Sequence, residues 1–140
     1  MDGKDYHSMK PEELRKHIAM VPQQVNLFSG TIRENLLLAD PDADDQTLME
    51  AVKEAGLLKF VQSLEKGLNS DVGNAGASLS GGQRQKIGIA RALLSKAEYM
   101  IFDEATSSVD PESEKEIWET IGHLAHTRTL IIISHRMSSV

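Results

Sequence analysis

The sequence has no cysteine and no long apolar segment, and these two absences narrow what the chain can be. Without cysteine there is no disulfide framework, and nothing in the composition indicates an oxidising compartment, so the chain fits a cytosolic setting. No apolar run approaches the roughly 18 residues that a membrane-spanning helix needs, and the opening stretch MDGKDYHSMK lacks the apolar core of a signal peptide. We therefore expect any link to a membrane to run through a partner.

The sequence also lacks an excess of positive charge. Its 15 basic and 21 acidic residues leave a net charge of -6, which argues against a general nucleic-acid surface and allows only a local basic patch. Its 140 residues, 40% of them hydrophobic, can form one modest core but hardly two. The composition therefore favours one compact unit, or a piece of a larger one, whose partner is not DNA.

Three short apolar runs are typical of buried strands, and each is followed by polar side chains that can take part in chemistry. The runs are residues 18–21, 99–102 and 130–133. After them come, in order, Gln23, then Asp103 with Glu104, then His135. Because ligands bind at the carboxyl ends of strands in open parallel sheets, we expect these polar residues to share one site.

The acidic pair Asp103 and Glu104 is the most informative of these endings, because two carboxylates beside a buried strand are costly without a positive partner. Mg²⁺ is the natural partner: Asp103 would orient the hydrated ion, and Glu104 would orient and polarise an attacking water. The residues alone leave open that one or both acids cap the turn after the strand. His135 could hold a terminal phosphate and the water in register, although a histidine after a strand is more often structural. Gln23 could touch metal or water, or simply belong to the turn at Pro22.

The residues between the first two runs read as helix and loop, which predicts a separate helical lobe. Thr31 and Glu34 have the spacing of a capping box and start one predicted helix. Asp44 starts a second, which ends near Gly56. A linker over 65–78, rich in glycine and small polar residues, follows as the most flexible part of the sequence.

The stretch after the acidic pair predicts a crossover helix. Asp110 and Pro111 fit its N-cap and first helical positions. An apolar face at helical spacing follows, formed by Ile117, Ile121, Leu124 and Ala125. Such a helix connects the second strand to the third, as a parallel pair requires.

Residues 79–94, LSGGQRQKIGIARALL, combine a helix start with two glycines. Ser80 and Gln83 have capping-box spacing, which accounts for the serine but not for the glycines. The free amides at Gly81 and Gly82 are bare of side chains and carry partial positive charge, so this helix start is a candidate phosphate site. The alternative is an ordinary capped helix after a flexible glycine turn.

These signals occur together and in a fixed order, and in that order the chain resembles the nucleotide-binding domain of an ABC transporter, most similar to the exporter type. The resemblance rests on LSGGQ at 79–83 for the family signature, the VPQ glutamine Gln23 for the Q-loop, YMIFDEAT at 99–106 for Walker B, SSVD at 107–110 for the D-loop, SHR at 134–136 for the H-loop, and LFSGTIREN at 27–35 for exporters. Several motifs in order are far more specific than any single pattern.

The resemblance implies the fold class α/β, with a partial P-loop NTPase (RecA-like) core of parallel strands and an inserted α-helical subdomain. Residues 1–24 and 96–140 would be pieces of the catalytic core. Residues 25–95 would be the helical subdomain with the signature motif and its helix.

The resemblance also implies ATP and Mg²⁺ as cofactors. Asp103 and Gln23 would contact the metal, while Glu104, His135 and Gln23 would be catalytic. The residues that would contact nucleotide are Ser80, Gly81, Gly82, Gln83 and Asp110. In the family the signature turn faces the terminal phosphate of ATP held by a second nucleotide-binding domain in a head-to-tail pair. That pair drives transmembrane domains from the cytoplasmic face of the membrane, and no nucleic acid takes part.

The sequence departs from the family in its phosphate cradle. A P-loop needs G-x-x-x-x-G-K-[ST], and the only Gly-Lys pair, at Gly3 and Lys4, is followed by Asp5 and lacks the first glycine. We therefore expect a fragment that does not hydrolyse ATP alone. In the family the P-loop strand lies in the middle of the sheet, so we also expect uncovered apolar strand edges, with self-association or assembly on another chain.

Gly88 is a smaller departure, because the family usually has alanine at this position of the signature helix. By helix propensity, glycine here weakens the helix by up to about 1 kcal/mol. It lies away from the predicted phosphate chemistry.

Two rival functions stay open at this point. One is a soluble ABC-type ATPase that acts on nucleic acid or the ribosome, which the exporter-like stretch at 27–35 and the acidic balance argue against. The other is a non-catalytic interaction fragment that uses the signature turn and the helical lobe only as binding surfaces.

Overall fold

The computed structural model describes residue 3 and residues 5–135. Its helices are α1 (Pro11–His17), α2 (Ile32–Leu37), α3 (Asp45–Glu54), α4 (Leu58–Ser63), α5 (Gly81–Leu94) and α6 (Pro111–Leu124). Its strands are β1 (Ile18–Val21), β2 (Tyr99–Asp103) and β3 (Thr129–Ile133). Short 3₁₀ turns occupy Tyr6–Ser8, Gly67–Asn69 and Asn74–Gly76. Over this part of the chain, no helix has the length and apolar character needed to cross a bilayer.

The strands form one parallel sheet in the order β1-β2-β3, built from the three apolar runs of the sequence. Ile18 pairs with Tyr99, and Tyr99 pairs with Thr129 on its other side. Helix α6 connects β2 to β3, as a parallel crossover requires. The predicted α/β fold class is confirmed, and the carboxyl ends of the three strands lie at one edge of the sheet.

Strands β2 and β3 are direct neighbours, as the crossover helix between them predicts. Asp103 at the end of β2 pairs with Ile133 at the end of β3. The described strands therefore leave no gap between them, and a further strand could pair only at the edges β1 and β3. The exposed apolar surface lies on one face of the sheet and on the edge strand β3.

The two faces of the sheet differ in burial. On the packed face, which lies against α5, Val21, Met100 and Phe102 are fully buried. On the opposite face, Met20 is 58% exposed and Ile131 is 47% exposed. Because these two residues share a row of the sheet with Ile101, they form a continuous apolar surface. Parallel sheets are normally covered on both faces, and the described residues cover only one.

Helix α5 is the centre of the core and packs against β1, α2, α3 and α6. Its residues Ile87, Ile89 and Ala90 have no exposed surface. Lys86 is buried beside α6, where it forms an ion pair with Glu116. A buried ammonium group needs such a partner, and the position of α6 could not be read from the periodicity of α5.

The helical lobe is built by the caps that the sequence predicts. The Thr31 hydroxyl accepts a hydrogen bond from the Glu34 N–H at 3.1 Å, and the Glu34 carboxylate accepts one from the Thr31 N–H at 2.7 Å. The Asp44 carboxylate accepts a hydrogen bond from the Thr47 N–H at 2.8 Å and starts α3. After α3, Gly56 turns the chain at φ +75, a left-handed conformation that glycine adopts without strain. The capping boxes and stop signals therefore placed these helices correctly.

The predicted linker is anchored to the start of α2 although it contains little regular structure. The Val72 N–H donates to the Gly30 carbonyl at 2.8 Å, and the Ile32 N–H donates to the Ser70 carbonyl at 3.0 Å. Leu68 and Val72 are buried. These contacts fix the path by which the chain reaches α5.

The apolar face of α6 is confirmed for Ile117, Ile121 and Leu124, which are buried. The prediction for Ala125 is wrong, since this residue is exposed. It is the C-cap and lies just beyond the last helical residue, so the periodicity no longer applies to it.

Candidate functional site

The turn at the start of α5 has the capped geometry that its sequence predicts. The Ser80 hydroxyl accepts a hydrogen bond from the Gln83 N–H at 3.1 Å, and the Gln83 side-chain oxygen accepts one from the Ser80 N–H at 2.9 Å. Ser80 is exposed and Gln83 is partly buried. The turn therefore presents a rigid helix start at the protein surface.

One of the two glycines of this turn, Gly82, is needed for packing, which sequence reasoning missed. A Cβ atom on Gly82 would lie 2.5 Å from the hydroxyl of Ser113 in α6, closer than real Cβ contacts come. A Cβ atom on Gly81 would lie 3.4 Å from the Ser108 carbonyl oxygen, which is an ordinary contact distance. Gly82 therefore allows the starts of α5 and α6 to lie against each other. Ser113 follows the Asp110 cap closely in the sequence, but only the tertiary structure shows that it lies against Gly82.

Asp110 holds the start of α6 beside this turn. Its carboxylate accepts a hydrogen bond from the Ser113 N–H at 3.0 Å. Hydrogen bonds from the Ser113 backbone and side chain lower the pKa of Asp110 below its ordinary value. The side chain is exposed, so a charged carboxylate at the helix start costs little desolvation.

A cleft of about 330 Å³ brings the first strand ending to the signature turn. Gln23 lines it together with Gly81, Gln85 and Ser108. The Q-loop, signature and D-loop motifs, which are far apart in sequence, therefore share one surface.

A second cleft, of about 230 Å³, brings the other two strand endings together. Glu104 and His135 line it, and Glu104 Oε1 lies 3.2 Å from His135 Nε2. The side chain of Glu104 is 24% exposed, whereas that of His135 is 85% exposed. The carboxylate is thus partly sheltered, with an imidazole on its open side.

Glu104 has a backbone conformation that few side chains adopt. Its φ is +49, in the left-handed region that normally favours glycine. The Glu104 N–H donates to the Ile133 carbonyl at 2.8 Å, and its carbonyl accepts from the Ser107 N–H at 3.1 Å. These contacts hold the strained residue and aim its side chain towards His135. Such strain recurs at functional sites, which makes Glu104 the best-supported candidate for chemistry.

Asp103 fits Mg²⁺ as one ligand among several rather than as part of a complete cage. In residue 3 and residues 5–135, no group of three or more His, Cys, Asp or Glu side chains is placed to hold a metal ion. Mg²⁺ does not require such a group, because it binds through one or two carboxylates with water and phosphate oxygens. The partly buried carboxylate at the carboxyl end of β2 suits that role.

The polar residues that follow the three strands do not line a single cleft. Gln23 lines the cleft beside the signature turn, whereas Glu104 and His135 line the other. Neither of these two clefts is lined by Asp103. The loop that follows β1 carries Gln23 towards α5, and the periodicity of the strands contains no information about that path.

Sequence comparison identifies the relatives of this chain. A sequence model of the family described as ABC transporter matches residues 1–107. The whole chain is 43% identical to the ATP-dependent lipid A-core flippase of Francisella tularensis subsp. holarctica (strain OSU18) and covers 23% of that protein. It is 44% identical to the ABC-type transporter fsqE of Aspergillus fumigatus and covers 11% of it.

Structural comparison leads to the same group of proteins. The fold is similar to that of a bacterial Atm1-family ABC exporter with ATP bound, with a TM-score of 0.85 and 36% sequence identity. The similarity extends over 99% of this chain and 24% of that exporter chain. The chain thus spans about a quarter or less of the relatives that it matches.

Proposed function

This chain belongs to the ABC transporter family, and we propose that it is part of the domain with which a membrane exporter binds and hydrolyses ATP. The motif resemblance is confirmed by the family match and by relatives that are exporters and flippases. Residues 1–24 and 96–140 would belong to the catalytic core, and residues 25–95 to the helical subdomain. The whole domain would work at the cytoplasmic face of the membrane, attached to transmembrane domains.

The observation that carries this proposal is the partly sheltered Glu104 beside His135 at the carboxyl end of the sheet. The Glu104 carboxylate would accept a hydrogen bond from the attacking water, and His135 would hold that carboxylate and the terminal phosphate in register. Asp103, with Gln23, would hold Mg²⁺, which when bound neutralises charge on the phosphates. The pair of His17 and Glu98 also joins an imidazole to a carboxylate, but it lies at the amino ends of β1 and β2, away from the strand ends where ligands bind.

The signature turn would serve a second site rather than the one that Glu104 serves. Ser80, Gly81 and Gln83 present a rigid, capped helix start, and the Gly82 amide completes it from a buried position. Asp110 fixes the neighbouring segment. Such a helix start favours the negative charge of a phosphate, which a partner nucleotide-binding domain would deliver in a head-to-tail pair.

The 140 residues contain no P-loop motif, so we expect them alone to bind ATP weakly and not to hydrolyse it. Phosphoryl transfer depends on positioning and charge neutralisation, and the P-loop supplies much of both. The exposed Met20, Ile131 and Ile133 also provide an apolar surface through which we expect the isolated chain to self-associate.

The test replaces the matching segment of the 43%-identical flippase of Francisella with this chain. We expect the chimaera to hydrolyse ATP, and the Glu104→Gln variant to lose at least about 100-fold in kcat with little change in ATP affinity. Calorimetry on the isolated chain is expected to detect little binding of Mg-ATP. An inactive chimaera that folds and binds ATP would contradict the catalytic proposal and favour a non-catalytic interaction role.

A further inference from the structure

The loop that follows β1 lies along one stripe of the helix that begins at the signature turn. The stripe consists of Gln85, Gly88 and Arg91, which are spaced by three residues and therefore share a face of α5. The loop residues opposite them run from Pro22 to Asn26 and include Gln23. None of the three stripe residues belongs to the signature motif itself.

The first contact of the stripe is made by Gln85. Its side-chain amide donates a hydrogen bond to the Pro22 carbonyl at 2.8 Å, and only 3% of the residue is exposed. Pro22 directly precedes Gln23. A buried hydrogen bond therefore fastens the backbone next to Gln23 to the second turn of α5.

The second contact is between Val25 and Gly88, which has no side chain. A Cβ atom there would lie 2.5 Å from a methyl group of Val25. Val25 therefore packs directly on the helix backbone, closer than any larger residue would permit. This contact explains a glycine that helix propensity alone disfavours.

The third contact is made by the guanidinium group of Arg91. It donates to the Asn26 carbonyl at 2.7 Å, to the Asn35 carbonyl at 2.9 Å and to the Asn35 side-chain oxygen at 2.7 Å. The Asn35 side chain in turn bonds both the N–H and the carbonyl of Phe28, each at 2.9 Å. The planar fork of arginine can make these bonds together, which an ammonium group cannot.

We propose that Gln85, Gly88 and Arg91 are positioning residues that hold the Gln23 loop on α5, so that Gln23 and the signature turn move as one unit. Displacement of Gln23 by metal or water at one site would shift the start of the same helix, which serves the other site. The bonded loop and the packed helix form a contiguous network of contacts between the two sites, which is the kind of path that carries such coupling. The proposal rests on the proposed function, which assigns ligands to both ends of the unit.

The first test is amide hydrogen exchange on the full chain. Arg91→Lys keeps the charge but loses the fork, so we expect exchange in residues 22–28 to rise at least about tenfold while α6 is unchanged. Gly88→Ala is expected to raise exchange in the same loop, and the added change Val25→Ala to restore it. Gly122→Ala, a helix glycine with nothing within 4 Å of an added Cβ, is the control and should leave the loop unchanged.

The second test measures coupling in the flippase chimaera. We expect Arg91→Lys to lower kcat about tenfold with the KM for ATP unchanged, because it leaves the P-loop of the host intact. An inactive parent chimaera would contradict the proposed function without affecting the exchange result. An active parent whose Arg91→Lys variant keeps its kcat would overturn the positioning role, as would unchanged exchange in residues 22–28 of the variant chain.

Discussion

The packed and open faces of the same sheet differ in what covers them. On the packed face, Val21, Met100 and Phe102 are buried, and α5 contacts β1 there and extends its contacts to the helical lobe. On the open face, Met20 and Ile131 are as apolar as their buried counterparts but are roughly half exposed. The strands are thus built for two covering layers, and the described residues provide one. Apolar residues on both faces of the strands predict that both faces are covered, whereas only the structure shows which elements cover them.

The largest loss of stability is expected from a substitution in the packed face. Phe102→Ala should lower the free energy of unfolding by about 3–5 kcal/mol, because it removes a fully buried ring and leaves a cavity. Ile131→Ala on the open face should cost less than about 1 kcal/mol, since that side chain is already half in water. Urea unfolding of both variants measures the difference, and equal losses would show that the open face is covered in solution.

A smaller effect is expected where the Gln23 loop meets α5. Gly88→Ala should destabilise the chain by about 1–3 kcal/mol through overpacking against Val25, despite the better helix propensity of alanine. Gly122→Ala in α6 should be neutral or stabilising by up to about 1 kcal/mol, because no atom opposes its Cβ. Thermal unfolding compares the two. Stabilisation by Gly88→Ala would show that the close approach of Val25 is not maintained.

The open face can be tested directly through self-association. Ile131→Lys should weaken association of the isolated chain at least about tenfold, since a charge on an exposed strand opposes pairing with another copy. Light scattering over a concentration series gives the apparent mass, and Gln62→Lys at an exposed position of α4 serves as a control for added charge. A parent chain that is monomeric throughout would contradict the expected association.

The smallest effect is expected in the dependence of stability on pH. The hydrogen bonds from Ser113 lower the pKa of Asp110, so this cap stabilises the fold above the unfolded-state pKa of about 3.9. Its contribution is lost as the pH falls through the lower folded-state pKa. Asp110→Asn keeps a capping oxygen without titrating, so its stability should fall less steeply below about pH 4. Parallel slopes for the two chains in pH-dependent unfolding would argue against this assignment.

Much of the local structure could be predicted from the sequence. The three apolar runs became strands, and the caps at Thr31, Asp44, Ser80 and Asp110 start helices where expected. These features depend on residues within a few positions of one another, so their patterns are visible in the sequence. The family resemblance depended on the order of such local motifs.

Contacts between distant segments could not be predicted in the same way. The burial of Lys86 depends on Glu116, and the need for glycine at Gly82 depends on Ser113, both on α6. The separation of the Gln23 and Glu104 clefts also depends on a chain path that no local pattern encodes. Hydrophobic periodicity states which side of an element is buried, but not which neighbour buries it.

The sequence by itself determined the three strands, the capped starts of α2, α3, α5 and α6, the parallel character of the sheet and the family, whereas α1 was not predicted. Only the tertiary structure decided that Glu104 faces His135 and that the Gln23 loop is fastened to α5. The physical reason is that caps and periodicity act over single turns and strands, whereas these contacts are formed when the sheet and helices pack to exclude water.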